Sequence, residues 1–151
     1  MNEILKSFSF EEIETTDEEK EILRSAIALL LRTNGSFTEA VHLAKALKKV
    51  KMNPKESFVK EHDENDPKLY TTQDSYRAFV MLFYARKADN LYNLSCEGKN
   101  ALRTHFKPVS VNDSCTCESC YTKSEPIALQ DANYDNVPPY HIGCRCTVEV
   151  L

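Results

Sequence analysis

The chain of 151 residues holds only three glycines, and it contains neither the Gly-rich loop that cradles phosphates nor a nucleophile-elbow pattern. Long apolar runs are also missing. Runs such as AIALLL over 26–31 and AFVMLFYA over 78–85 fall far short of the roughly 20 residues needed to span a bilayer, so neither a transmembrane helix nor a membrane partner is expected. The opening MNEILKSFSFEEIETTDEE is acidic and has neither the basic start nor the small-residue cleavage site of a secretory signal. That predicts an intracellular protein, the cytoplasm of an infected bacterium included. Charge of one sign is not in excess: 19 basic residues are spread among 23 acidic ones for a net charge of −4, so no global field draws the chain onto nucleic acid. The local lysines Lys45, Lys48, Lys49, Lys51, Lys55 and Lys60 read as a solvated helix face and linker.

What remains is the composition of a globular chain, with 42% hydrophobic and 28% charged residues, long enough for a helical body with a small appended module. The first 108 residues read as helical. Asp17 can cap a helix whose first turn holds Glu18, Glu19 and Glu21, and Ile22, Ala26, Leu29 and Leu30 recur at helical spacing until Asn34-Gly35 ends the run. Ser36 or Thr38 caps a second helix reaching Val50, closed before Pro54, and the two form an antiparallel hairpin. Residues 53–68 read as a polar loop. A third helix starts at Thr72, Asp74 and Ser75 and runs through Tyr76, Phe79, Val80, Leu82, Phe83 and Ala88, aromatic enough to centre the core. A fourth starts at Asn93 or Ser95 and ends near His105 and Phe106. Cys96 stands alone within it and reads as a small buried hydrophobe.

After Pro108 the helical period is lost, and turn residues, cysteines and short apolar pieces take over. Five of the six cysteines lie here: Cys115, Cys117, Cys120, Cys144 and Cys146. In a reducing compartment such clustering points to metal before disulfides. Cys117-x-x-Cys120 has the turn spacing that brings two sulfurs to about 2.3 Å from one tetrahedral ion. The second half reads Pro138-Pro139-Tyr140-His141-Ile142-Gly143-Cys144-Arg145-Cys146-Thr147. Its paired prolines stiffen the approach to His141, and Gly143 permits the tight turn that brings His141 and Cys144 together. Cys144 and Cys146, two apart, share a face in extended chain.

The expected ligands are therefore Cys117, Cys120 and His141 with Cys144 or Cys146, while Cys115 offers a competing thiolate. The expected ion is Zn2+ in a structural role. More sulfur and nitrogen donors are present than a tetrahedral ion uses, and neither HExxH nor the H-x-E…P-C-x-x-C deaminase pattern occurs. The tail reads as too small and polar to have its own core, so zinc supplies its cohesion and metal loss should melt the residues beyond Pro108. The predicted fold is mainly α: an N-terminal helical bundle of about four helices over 1–108, then a small zinc-stabilised β-hairpin module over 109–151.

These residues resemble the C-terminal module of the phage head-morphogenesis family, the minor head proteins similar to the F protein of phage Mu. That family ends in an Asp four residues before a Cys-x-x-Cys, a short hairpin, and Pro-Pro-x-His-x-x-Cys-Arg-Cys-Thr. Asp113, Cys117, Cys120, Pro138, Pro139, His141, Cys144, Arg145, Cys146 and Thr147 match, with 123–129 filling the hairpin. Ser124 replaces the usual hairpin glycine, Cys115 is extra, and residues 1–108 lie outside the resemblance. The resemblance implies a phage or prophage protein of the virion or host cytoplasm, acting in head assembly with capsid or portal as its protein partner. A phage-encoded effector that binds and modulates a host protein is the alternative, and nucleic-acid binding through the lysines and Arg145 is a weaker third. No constellation with catalytic spacing emerges, and His42, His62 and His105 read as surface or packing residues, so the chain is not expected to be an enzyme.

Overall fold

The computed structural model describes residues 2–8, 10, 13, 15–33, 35–47, 50, 73–97, 99, 102–109, 125–140 and 146–151. The fold is mainly helical, with four described helices and a small three-stranded antiparallel sheet. The helices are α1 (Asn2–Ser7), α2 (Asp17–Arg32), α3 (Phe37–Ala46) and α4 (Gln73–Glu97). The strands are β1 (His105–Val109), β2 (Ile127–Ala128) and β3 (Thr147–Val150), with a 3-10 turn at Leu129–Asp131. Among the described residues no helix is long and apolar enough to cross a membrane. By packing, the chain divides into Asn2–Ala85 and Arg86–Leu151, so the division falls inside α4, whereas the boundary expected at 108/109 falls inside β1.

In the first unit, α2 starts at a capping box rather than at an Asp17 cap. The Glu19 amide donates to Thr16 Oγ1 and the Thr16 amide to Glu19 Oε1, each at 3.2 Å, which satisfies two orphan donors and leaves Asp17 as the first helical residue. The buried stripe is Leu23, Ala26, Ile27 and Leu30, sharing Ala26 and Leu30 with the expected one, while Leu23 and Ile27 take the places expected of Ile22 and Leu29, and Leu29 is exposed. The Gly35 amide donates to the Leu30 carbonyl at 2.9 Å, wrapping the end of α2 so closely that a Cβ at 35 would have to displace the Leu30 side chain. Ser36, one of the two expected caps, starts α3, which ends at Ala46 rather than running on to Val50.

Aromatic side chains fill this unit. Phe10 stacks edge-on against Tyr84 with centroids 4.4 Å apart, and the Arg24 guanidinium lies 4.9 Å from the Phe10 centroid. Phe10 is held at φ 54°, a left-handed conformation that costs a bulky residue about 1–3 kcal/mol and persists because these neighbours fix the buried ring. Arg24 also donates to the carbonyls of Leu5 and Phe8, tying α1 and the chain after it to α2. Buried Arg77 donates to the Val50 carbonyl at 2.6 Å and to Asp74 at 2.9 Å, so its charge is paired where water is excluded.

In the second unit, the separate fourth helix expected from Asn93 or Ser95 does not form. The α4 helix continues to Glu97, and His105–Val109 is a strand, because buried Phe106 and Pro108 alternate with the half-buried Lys107 and the exposed His105 and Val109 at period two. Strand order is β2-β1-β3, with Phe106 opposite both Ile127 and Val150. The Thr104 carbonyl accepts from Leu129 on the β2 side and the His105 carbonyl from Leu151 on the β3 side. By that alternation Pro108 faces the β2 side, past the last described β2 pair, where its missing N–H leaves no ladder bond unmade. Leu94, Phe106, Leu129 and Val137 form a buried cluster, with Leu91, Ile127, Val148 and Val150 packed against it. The tail therefore does have an apolar core, supplied jointly by α4 and the sheet.

Candidate metal centre

Of the expected ligands, Cys146 is described, and Cys117, Cys120, His141 and Cys144 lie outside the described residues, as does Cys115. Cys146 is buried at the entry to β3. The alternation of that strand, which pairs Val148 and Val150 inward against β1, carries Cys146 into the interior with them.

The chain on both sides of 141–145 is fastened to α4. Asn90 Nδ2 donates to the Pro138 carbonyl at 2.9 Å, and Arg86 Nη2 donates to the Cys146 carbonyl at 3.1 Å. Positions 86 and 90 are one helical turn apart and share a face, so one stripe of the helix holds the residues before His141 and after Cys144. Between them Lys87, 2% exposed, places Nζ 2.7 Å from the Tyr134 carbonyl and 4.1 Å from the Tyr134 ring centroid. An ammonium so deeply buried is tolerable because a carbonyl and a π-face replace its water.

Upstream, Asn133 Oδ1 accepts from the amides of Asp135 and Asn136, and Asn136 Nδ2 donates to the Asp131 carbonyl at 2.8 Å. These side-chain-closed turns aim the chain into the buried Val137-Pro138-Pro139, whose Pro138–Pro139 bond is cis. The expected ligands His141 and Cys144 thus fall between flanks held by Asn, Pro and helix-borne donors.

The donor set suits zinc chemically, since thiolates and imidazole are its structural ligands and Cys146 is shielded from solvent. Among the described residues no group of three or more His, Cys, Asp or Glu comes together. Cys96 is exposed at the end of α4, not buried as expected, because the helix turns that position away from the Leu91 and Leu94 stripe. His42 and His105 are exposed, as is Lys45, while His62 and the remaining expected lysines lie outside the described residues. The sequence reading missed Arg86, Lys87 and Asn90. Their one signal is that they are polar positions following the apolar run of α4, a pattern that solvent exposure explains equally well. Compared with known proteins, the chain matches no protein-family model, no curated protein and no solved structure.

Proposed function

We propose that the chain is a phage-type structural or interaction protein whose carboxy-terminal unit closes around one structural zinc ion, and that it serves as a minor head or head-assembly component binding capsid or portal. The observation that carries this reading is the spacing Cys117-x-x-Cys120 followed by Pro138-Pro139-x-His141-x-x-Cys144-Arg145-Cys146-Thr147. Burial of Cys146 and the anchoring of Pro138 and Cys146 to Asn90 and Arg86 support it, because a ligand loop held at both ends loses little freedom when metal binds. Cys117, Cys120 and His141 with Cys144 or Cys146 would hold the ion. When bound, zinc draws these segments together and lends binding energy to folding.

Metal analysis of the purified chain, joined to co-sedimentation with capsids or portal from infected cells, tests the proposal. One zinc per chain and co-sedimentation are expected. A chain without metal removes the zinc reading, and a zinc-bearing chain that ignores capsid and portal removes the head-assembly role.

A further inference from the structure

The second unit has an open cleft of about 610 Å³ beside the end of α4 and the start of β1. Lys99, Arg103 and His105 line it, with the hydroxyl-bearing Ser95 and Thr104, and Ala128 and Gln130 complete its accessible wall. No described residue lining it is acidic. Among the described residues none of the three basic side chains takes part in an ion pair. On a chain with a net charge of −4, a lysine, an arginine and a histidine lining one cleft with no acidic residue among the described lining need a cause.

The carboxyl end of α4 accounts for part of it, but a helix terminus offers only about half a negative charge. The side chains are also partly fixed for binding. Thr104 Oγ1 lies 2.8 Å from His105 Nδ1, which occupies that ring nitrogen and leaves Nε2 for another partner. Arg103 donates Nη1 to the Val150 carbonyl at 3.3 Å, which anchors the guanidinium while its other N–H groups remain available.

We infer that this cleft binds a small phosphate-bearing molecule of about mononucleotide size, with the phosphoryl group among Lys99, Arg103 and His105 and the organic part along the more accessible Ala128 and Gln130. A planar fork, a point charge and the Ser95 hydroxyl together match the several terminal oxygens of a phosphoryl group, whereas a carboxylate would leave donors unmatched. Bare phosphate would leave most of the cleft of about 610 Å³ unfilled, and that volume falls within the roughly 300–1,000 Å³ of small-molecule sites. This inference is independent of the zinc reading, since neither His141 nor any cysteine enters the cleft wall described.

Calorimetric titration of the full chain with AMP, pyrophosphate and a short single-stranded DNA tests it. Saturable one-to-one AMP binding is expected, weakened about tenfold in Arg103→Gln and in Lys99→Gln, and unchanged in Arg32→Gln, which removes an exposed charge from the other unit. In amide spectra, AMP should shift Thr104, His105 and Leu129, a readout that needs no variant. Absence of saturable binding by both AMP and pyrophosphate overturns the inference, as does an equal loss in Arg32→Gln. Steeply salt-dependent DNA binding without AMP binding overturns it in favour of a nucleic-acid surface.

Discussion

The Arg86 guanidinium donates to the carbonyl of Cys146, so the backbone at the last expected sulfur ligand is held by a helix some 60 positions earlier in the chain. Asn90 does the same for Pro138 one turn further on. Arg86→Ala and Asn90→Ala are each expected to weaken zinc binding about tenfold, by analogy with the groups that orient metal ligands elsewhere. Competition against a chromophoric chelator measures this. Wild-type chain that binds zinc no more tightly than the variants would remove the positioning role.

Cohesion of the second unit does not rest on metal alone, because Leu94, Phe106, Leu129 and Val137 pack together there. Chelation is therefore expected to loosen β3 while α2 keeps its amide protection in hydrogen exchange. An equal fall in protection along α2 would contradict this.

Phe106 is fully buried at the centre of that cluster, on the middle strand of the sheet. Phe106→Ala is expected to cost about 3–5 kcal/mol in urea denaturation, because the ring's burial is lost and the cavity cannot fully collapse. Leu102→Ser should stay within about 0.5 kcal/mol, since Leu102 is 88% exposed.

At position 35 a Cβ would lie 2.0 Å from Leu30 Cδ1 and 2.7 Å from its Cγ, and Leu30 is itself buried. Gly35→Ala must displace Leu30 or unwrap the end of α2, at a cost of about 1–3 kcal/mol. A thermal melt of the variant gives the comparison, and unchanged stability would mean that Leu30 repacks freely.

Burial pushes the Tyr76 phenol up to about 12 from its ordinary value of 10.0. The folded chain then keeps a proton that the unfolded chain has released, so this group's contribution is fully present below pH 10 and is lost as pH rises from about 10 to 12. Denaturation midpoints of Tyr76→Phe and wild type should differ by a constant amount below pH 10 and shift relative to each other above it. A constant difference through pH 11 would show that Tyr76 titrates normally.

Much of the helical body was legible because its signals are local. Ser36 caps α3, an apolar stripe defines α2, and the aromatic run of α4 is buried. The errors were of reach. Asp17 and Thr16 are both good caps, and only the reciprocal bond from Glu19 decides between them. Local pattern alone places a helix end near His105 and Phe106, because Phe106 and Pro108 acquire a period-two meaning only when Ile127 and Val150 arrive from far along the chain. At the candidate centre the cysteine spacing was readable, but the partners of its flanking carbonyls were not. A backbone oxygen leaves no mark in sequence, and Arg86 or Asn90 on a helix looks the same whether it faces water or Cys146.

The sheet order has a consequence for synthesis on the ribosome. β1 lies between two partners that are both translated after it, and β3 follows Val109 by about 40 residues. At roughly 5–20 residues per second, the β1 edge that β3 will cover waits several seconds for its partner. During that interval the ring of Phe106 and an open row of backbone groups on the β3 side are presented to neighbouring nascent chains, while Pro108 removes a donor from the opposite, β2 side alone.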